Sequence, residues 1–249
     1  MSDVSKLFDD RSKTYDQIYS DVNPKKLLHQ EKQLRLELVK QLILENSKRI
    51  SDEIIVDIGC GMGNLLKSLR EDGLTSSMHG YDVSEEMIRL ANANGNSNIK
   101  FSVGTFDNIS IKPDIVSCIG VIGYQEDQKN FLSKLSSLVK NEGTLVFTVA
   151  NGDSILRFIR SLLSKIHSLL TRRQKGIKFG SLSSKGVDEV LLYDGFELIE
   201  KIYITFGIGL FSSKVECLLD KLLFKYFNNS FIGKFLSLTV IYIYKKNSK

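Results

Sequence analysis

Apolar residues first recur at helical spacing. Leu27, Leu28, Leu34, Leu38, Leu42 and Ile43 alternate with charges, which predicts a helical N-terminal region. The period then changes. Ile54 to Ile58 is a short run rich in β-branched residues that ends in glycines, the pattern of a buried strand. A helix over Asn64 to Glu71 follows, closed by Gly73. Met78 to Asp82 reads as a second strand. Ser84 to Asn92 reads as a helix opened by an N-cap serine, with Glu85 and Glu86 in its first turn. Ile99 to Val103 and Asp114 to Ile119 predict two more strands, Phe131 to Val139 a helix, and Gly143 to Val149 a strand after the Asn141-Glu142-Gly143 turn. Such alternation builds a mostly parallel α/β sheet with helices on both faces.

Beyond Asn151 the regularity breaks. Ser154 to Leu170 is an amphipathic helix with Ile155, Ile159, Leu162, Ile166 and Leu169 on one face. Ser183 to Tyr193 resumes as a helix, Phe196 to Ile204 is a strand, Gly207 to Phe235 is an insertion rich in Phe and Leu, and Leu238 to Tyr244 is an alternating final strand. Seven strands are thus expected in one domain over residues 1–249. Its parts are a helical region to residue 50, a core over 51–151, an amphipathic insertion over 152–180, and the rest of the sheet over 181–249.

Composition changes this picture little. Hydrophobic residues make up 42% and charged residues 25%, ordinary for a soluble globular enzyme. Cys60, Cys118 and Cys217 lie far apart without CxxC spacing, so no zinc site is expected, and free thiols fit a reducing compartment. The first residues hold no apolar leader, which points to a cytoplasmic protein. Charge is informative because it is uneven. Between Asn151 and Gly180 seven bases face one acid, Asp153, and that excess is larger than the net +5 of the whole chain. The basic character therefore belongs to one segment.

The candidate chemistry begins at VDIGCGMGN, Val56 to Asn64. Gly59, Gly61 and Gly63 stand between a strand and a helix, where a sharp turn and a closely approaching ligand both exclude a Cβ. In a dinucleotide fingerprint counted from Gly59 the third glycine would fall at Asn64. The pattern here is instead acid-x-Gly-x-Gly-x-Gly, led by Asp57. That carboxylate would repel a pyrophosphate and suits a cationic ligand. Asp82, at the end of the second strand, is placed to accept hydrogen bonds from both hydroxyls of a ribose.

VDIGCGMGNLL, GYDVSEEMIRLA, FSVGTFDNI, PDIVSCIGVIGY and LVKNEGTLVFTVAN resemble, in order and spacing, the successive motifs of class I S-adenosylmethionine-dependent methyltransferases. LFDDRSKTYDQIY is similar to the lid that precedes this domain in small-molecule members. The resemblance implies a Rossmann-like sheet and S-adenosylmethionine as cofactor. It implies that Asp57, Gly59 and Gly61 line the methionine end, that Asp82 holds the ribose, and that Val83 and Met87 lie near the adenine. Thr105 and Phe106 would meet the adenine edge, although the family often has an acid at Thr105. Ile119 would supply backbone to the methionine moiety. Many small-molecule members carry a histidine near that strand end, where this chain has Gly123 and Tyr124.

In-line transfer from a sulfonium needs positioning and water exclusion, with a base only for a protonated acceptor. Tyr15 and Tyr124 are the catalytic candidates, with Tyr19 and His29 behind them. The expected acceptor is a small molecule, methylated on oxygen or nitrogen. Ser154 to Lys178 has two readings: an interfacial helix on the inner, anionic face of a membrane or over an amphipathic acceptor, or a helix packed on the sheet with a solvated basic face. Three rival functions stay open: a non-catalytic binding protein, a nucleic-acid methyltransferase and an NAD-dependent oxidoreductase. The nucleic-acid reading lacks a target-base motif or aromatic-basic interleaving, and nothing in the chain specifies an oligomeric state.

Overall fold

The computed structural model describes residues 8–9, 27–48, 50–93, 98–162, 179–207 and 213–248. Helix α1 (Leu27–Asn46) precedes the sheet and turns Val39, Leu42 and Ile43 inward. Then β1 (Ile54–Ile58), α2 (Asn64–Glu71), β2 (Ser77–Asp82), α3 (Glu85–Ala93), β3 (Ile99–Val103), β4 (Ile115–Cys118), α4 (Gln128–Leu138) and β5 (Thr144–Ala150) follow. After the break come α5 (Ser184–Tyr193), β6 (Phe196–Ile204), α6 (Ser213–Phe227), α7 (Phe231–Leu236) and β7 (Thr239–Lys246).

The seven strands form one sheet in the order β3-β2-β1-β4-β5-β7-β6. Only β7 runs antiparallel, and it lies between β5 and β6. Strands β1 to β3 step outward in one direction, after which the chain returns and lays β4 on the other side of β1. That reversal opens a crevice at the carboxyl ends of β1 and β4, where open α/β sheets bind ligands.

Burial follows from position in the sheet. Every residue of β4 and β5 is buried, because helices cover both faces there. Edge strand β3 alternates, with Ile99 and Phe101 inside and Lys100 and Ser102 outside. Ile55, Met78, Ile115, Val146 and Ile241 pack under α1, α2 and α3. Val56, Val116, Leu145 and Tyr242 face the other way, against α4 and α5.

Caps set several element ends more sharply than periodicity does. Helix α4 starts at Gln128 rather than Phe131, because the Asp127 carboxylate accepts from the Asn130 N–H at 3.0 Å. Ser84 caps α3 as expected, accepting from the Met87 N–H at 3.1 Å. The Phe- and Leu-rich insertion contains α6 and α7, the latter capped by Ser230.

The segment after Asn151 corrects one expectation. Residues 155–162 are helical, but Ile155, Phe158, Ile159 and Leu162 stay exposed instead of packing on the sheet. Leu156 and Arg157 are half-buried, and the Arg157 guanidinium reaches the Leu238 carbonyl at 3.5 Å. Residues 163–178, with Lys165, Arg172 and Arg173, lie outside the described residues, as do Tyr15 and Tyr19. Among the described residues no helix is long and apolar enough to cross a membrane.

Candidate active site

A cleft of about 1820 Å³ opens over the carboxyl ends of β1, β2 and β4. The glycine turn forms its floor. Gly59, Gly61 and Gly63 all have positive φ (74°, 53° and 77°), which disfavours side chains at each. Their surroundings differ. A Cβ on Gly59 would overlap Val121, and one on Gly63 would fall in the Phe101 ring. At Gly61 it would meet nothing within 4 Å. Two of the glycines are therefore also demanded by packing, and Gly61 alone presents bare backbone to open space. The turn is fixed to β2, since the Gly59 and Cys60 N–H groups both donate to the Tyr81 carbonyl, at 2.7 and 3.1 Å.

Two carboxylates flank this turn. Asp57 lines the cleft although it is only 3% exposed, and it accepts a hydrogen bond from the Ser117 hydroxyl at 2.7 Å. Burial pushes its carboxyl up to about 7, against the opposing effect of the Ser117 hydrogen bond. A cation beside it would restore the ionised form. Asp82 accepts from the Gly61 N–H at 2.8 Å and from the Ser84 N–H at 3.0 Å, one on each oxygen. Burial raises its carboxyl as well. A third N–H, that of Val83, also bonds this carboxylate, which with about four lone-pair sites keeps room for a ligand hydroxyl. The bare Gly61 backbone between two carboxylates fits a ligand that is cationic at one end and carries a vicinal diol.

The other sequence-chosen binding residues also line the cleft: Val83 and Met87 beyond Asp82, Thr105 and Phe106 after β3, and Ile119 after β4. Thr105 is held by a reciprocal capping box with Asn108, and the Phe106 ring packs edge-on against Phe131 at 4.6 Å. Among the described residues, Tyr124 is the catalytic candidate that lines the cleft. Its ring stands edge-on to Phe8 at 5.2 Å and to Phe179 at 4.8 Å. The neighbouring Gly123 is where Phe179 packs, leaving no room for a side chain. His29 falls in α1, but its side chain is outside the described set.

Sequence reasoning missed several lining residues. Lys32 and Arg35 reach the cleft from α1, the former only 7% exposed. Gln128 is buried with its amide nitrogen unpartnered. Helical spacing reveals an inward face but not what lies opposite it, so none of these carried a readable signal. Phe8 lines the cleft, and Asp9 accepts from the Ser84 hydroxyl at 2.5 Å, so the two described residues of the expected lid lie beside the cleft and the start of α3.

A seven-stranded sheet of this order, with an acid-led glycine turn at its switch point, defines a class I methyltransferase. The chain matches the family described as "Methyltransferase domain" over residues 28–200, and it belongs to that family. S-adenosylmethionine is the methyl donor of this class. An uncharacterised protein of Methanocaldococcus jannaschii is 26% identical over 246 residues, covering 92% of this chain and 86% of that protein. The mitochondrial ubiquinone biosynthesis O-methyltransferase of Schizosaccharomyces pombe is 26% identical over 148 residues, or 56% of this chain. The chain spans about half of that enzyme's length (53%). Magnesium protoporphyrin IX methyltransferase of Synechocystis PCC 6803, solved with bound SAH, superposes with a TM-score of 0.68 at 17% identity over 98% of both chains. At that identity the likeness is one of fold.

Proposed function

We propose that this chain transfers a methyl group from S-adenosylmethionine to an oxygen of a small amphipathic acceptor. The carrying observation is the open Gly61 backbone set between the Asp57 and Asp82 carboxylates. Choice of oxygen follows the O-methyltransferases among the relatives. The donor supplies a methyl already activated on a sulfonium, so the protein's task is to position and to exclude water. Asp57 holds the cationic methionine end and Asp82 the ribose. Val83 and Met87 flank the adenine, Thr105 and Phe106 meet its edge, and Ile119 presents backbone beside the sulfonium. Phe8 and Asp9 cover the cleft. Tyr124, fixed between two rings, orients the acceptor hydroxyl.

Exposed Phe158 on the helical segment 155–162, with Phe231 and Ile232 on α7, supports an amphipathic acceptor. The Ser154 hydroxyl, just before that segment, donates to the Phe235 carbonyl of α7 at 3.4 Å. Exposed apolar side chains of this kind suit a lipid-linked molecule or contact with an anionic membrane. Calorimetry tests the cofactor half directly: S-adenosylmethionine and its demethylated product, S-adenosylhomocysteine (SAH), bind and NAD does not. Binding of NAD alone would overturn the proposal.

A further inference from the structure

Beside the cofactor cleft lies a second chamber of about 700 Å³, which shares Arg35, Gly120 and Ser181 with it. The chamber therefore opens next to the end of β4, where the methyl group would be delivered. Among the described residues its charged lining is three arginines against one carboxylate, set among serine and threonine hydroxyls. Arg35 enters from α1, its guanidinium 3.7 Å from where a Cβ of Gly120 would stand. Arg157 and Arg160 enter from the segment 155–162, opposed by one carboxylate, Glu31. Arg157 lies over the Phe179 ring at 5.6 Å, and the same ring stands edge-on to Tyr124 at 4.8 Å, so Phe179, a wall of the chamber, touches a residue of the cleft. Burial and the nearby Arg160 both disfavour the charged form of Arg157, so the cations are held together against their own repulsion.

A second observation points the same way. Thr205 lines this chamber at 5% exposure, and among the described residues its hydroxyl has no hydrogen-bond partner. Its backbone is in the left-handed region (φ 62°), a strained state for a β-branched residue. An unpaired buried hydroxyl and backbone strain of this kind both cost stability. A fold retains such a residue more readily where a ligand completes it.

We infer that this chamber seats an anionic group of the methyl acceptor, a carboxylate or a phosphate, between Arg35, Arg157 and Arg160, with the Thr205 hydroxyl donating to it. The acceptor's role rests on the methyltransferase reading. The anion site itself does not. Paired guanidinium groups match the planar or tetrahedral oxygens of such an anion. Phe179 would then hold the reacting end of the acceptor on the Tyr124 side.

The test is titration of the SAH-loaded protein with phenyl phosphate, benzoate and benzyl alcohol at constant ionic strength, followed by NMR. At least one anion is expected to bind about tenfold more tightly than the neutral alcohol, and whichever anion is stronger identifies the source as phosphate or carboxylate. Arg157→Gln and the exposed Arg160→Gln should each weaken the anion about fivefold or more, with SAH affinity within about threefold of wild type. Arg157→Lys should recover part of the loss, and Thr205→Val should weaken the anion without lowering the melting temperature. Equal binding of anion and alcohol overturns the inference, as does anion binding that ignores the arginine substitutions. A protein that binds the anions here but takes no SAH would overturn the methyltransferase reading and leave the anion site standing.

Discussion

The cofactor side and the acceptor side of the cleft are built by different means. The first is local: a strand, a glycine turn and a helix, with Asp57, Gly59 and Gly61 inside a few consecutive residues and Asp82 one strand further on. The second is assembled from parts far apart in the chain. Arg35 comes from α1, Tyr124 from the turn after β4, Phe179 from beyond the segment 155–162, and Thr205 from the end of β6. A locally built site is tied to the geometry of the sheet, whereas a site built from insertions can change its ligand without disturbing the sheet.

The sharpest way to break this contrast is inside the glycine turn. Gly59→Ala combines positive φ with overlap on Val121, and it should lower stability by about 3 kcal/mol, read from chemical denaturation. Gly61→Ala meets open space and should cost about 1 kcal/mol of stability while clearly weakening SAH binding. Equal stability losses would mean that the turn has no ligand-facing member.

Next in size is Asp82→Ala, expected to weaken SAH about 100-fold by calorimetry, since charge-assisted hydrogen bonds contribute about 1.5–3 kcal/mol. Survival of full affinity would remove the ribose assignment. A pH series should show a smaller effect. The Asp57 carboxyl is held at about 7 in the free protein, and a cationic ligand requires it ionised. Below pH 7 binding must expel a proton, so affinity should fall about tenfold per pH unit and level off above 7. Asp57→Asn should flatten that slope, and an unchanged slope would assign it to another group.

The smallest effect falls on the acceptor side. Tyr124→Phe keeps the ring between Phe8 and Phe179 and removes one hydrogen bond, so kcat/KM should drop about fivefold with SAH affinity unchanged. A drop beyond 100-fold would make Tyr124 the proton acceptor rather than an orienting group.

Legibility followed the same division. Five parallel strands and their order of appearance could be read because each apolar run, turn and cap is encoded within a dozen residues or so of chain. The carboxylates were readable for the same reason. Part of the glycine reading needed correction: contacts with Val121 and Phe101, both remote in sequence, explain Gly59 and Gly63. Arg157 read as part of a solvated basic face because apolar spacing on a helix does not show which side the fold will cover. Its long stem lets the charge sit beside buried surface. Thr205 gave no signal at all, since backbone strain and an unpaired hydroxyl exist only in three dimensions.

Phe8 and Asp9 belong to both halves at once. Asp9 is fastened to Ser84 at the cofactor's edge, and Phe8 braces Tyr124 on the acceptor's side. In kinetic terms the shared contact predicts a sequential order rather than independent binding. The expected order is donor first and acceptor second, with the methylated product leaving before the spent donor. Product-inhibition patterns should therefore be competitive between the two forms of the cofactor and non-competitive toward the acceptor.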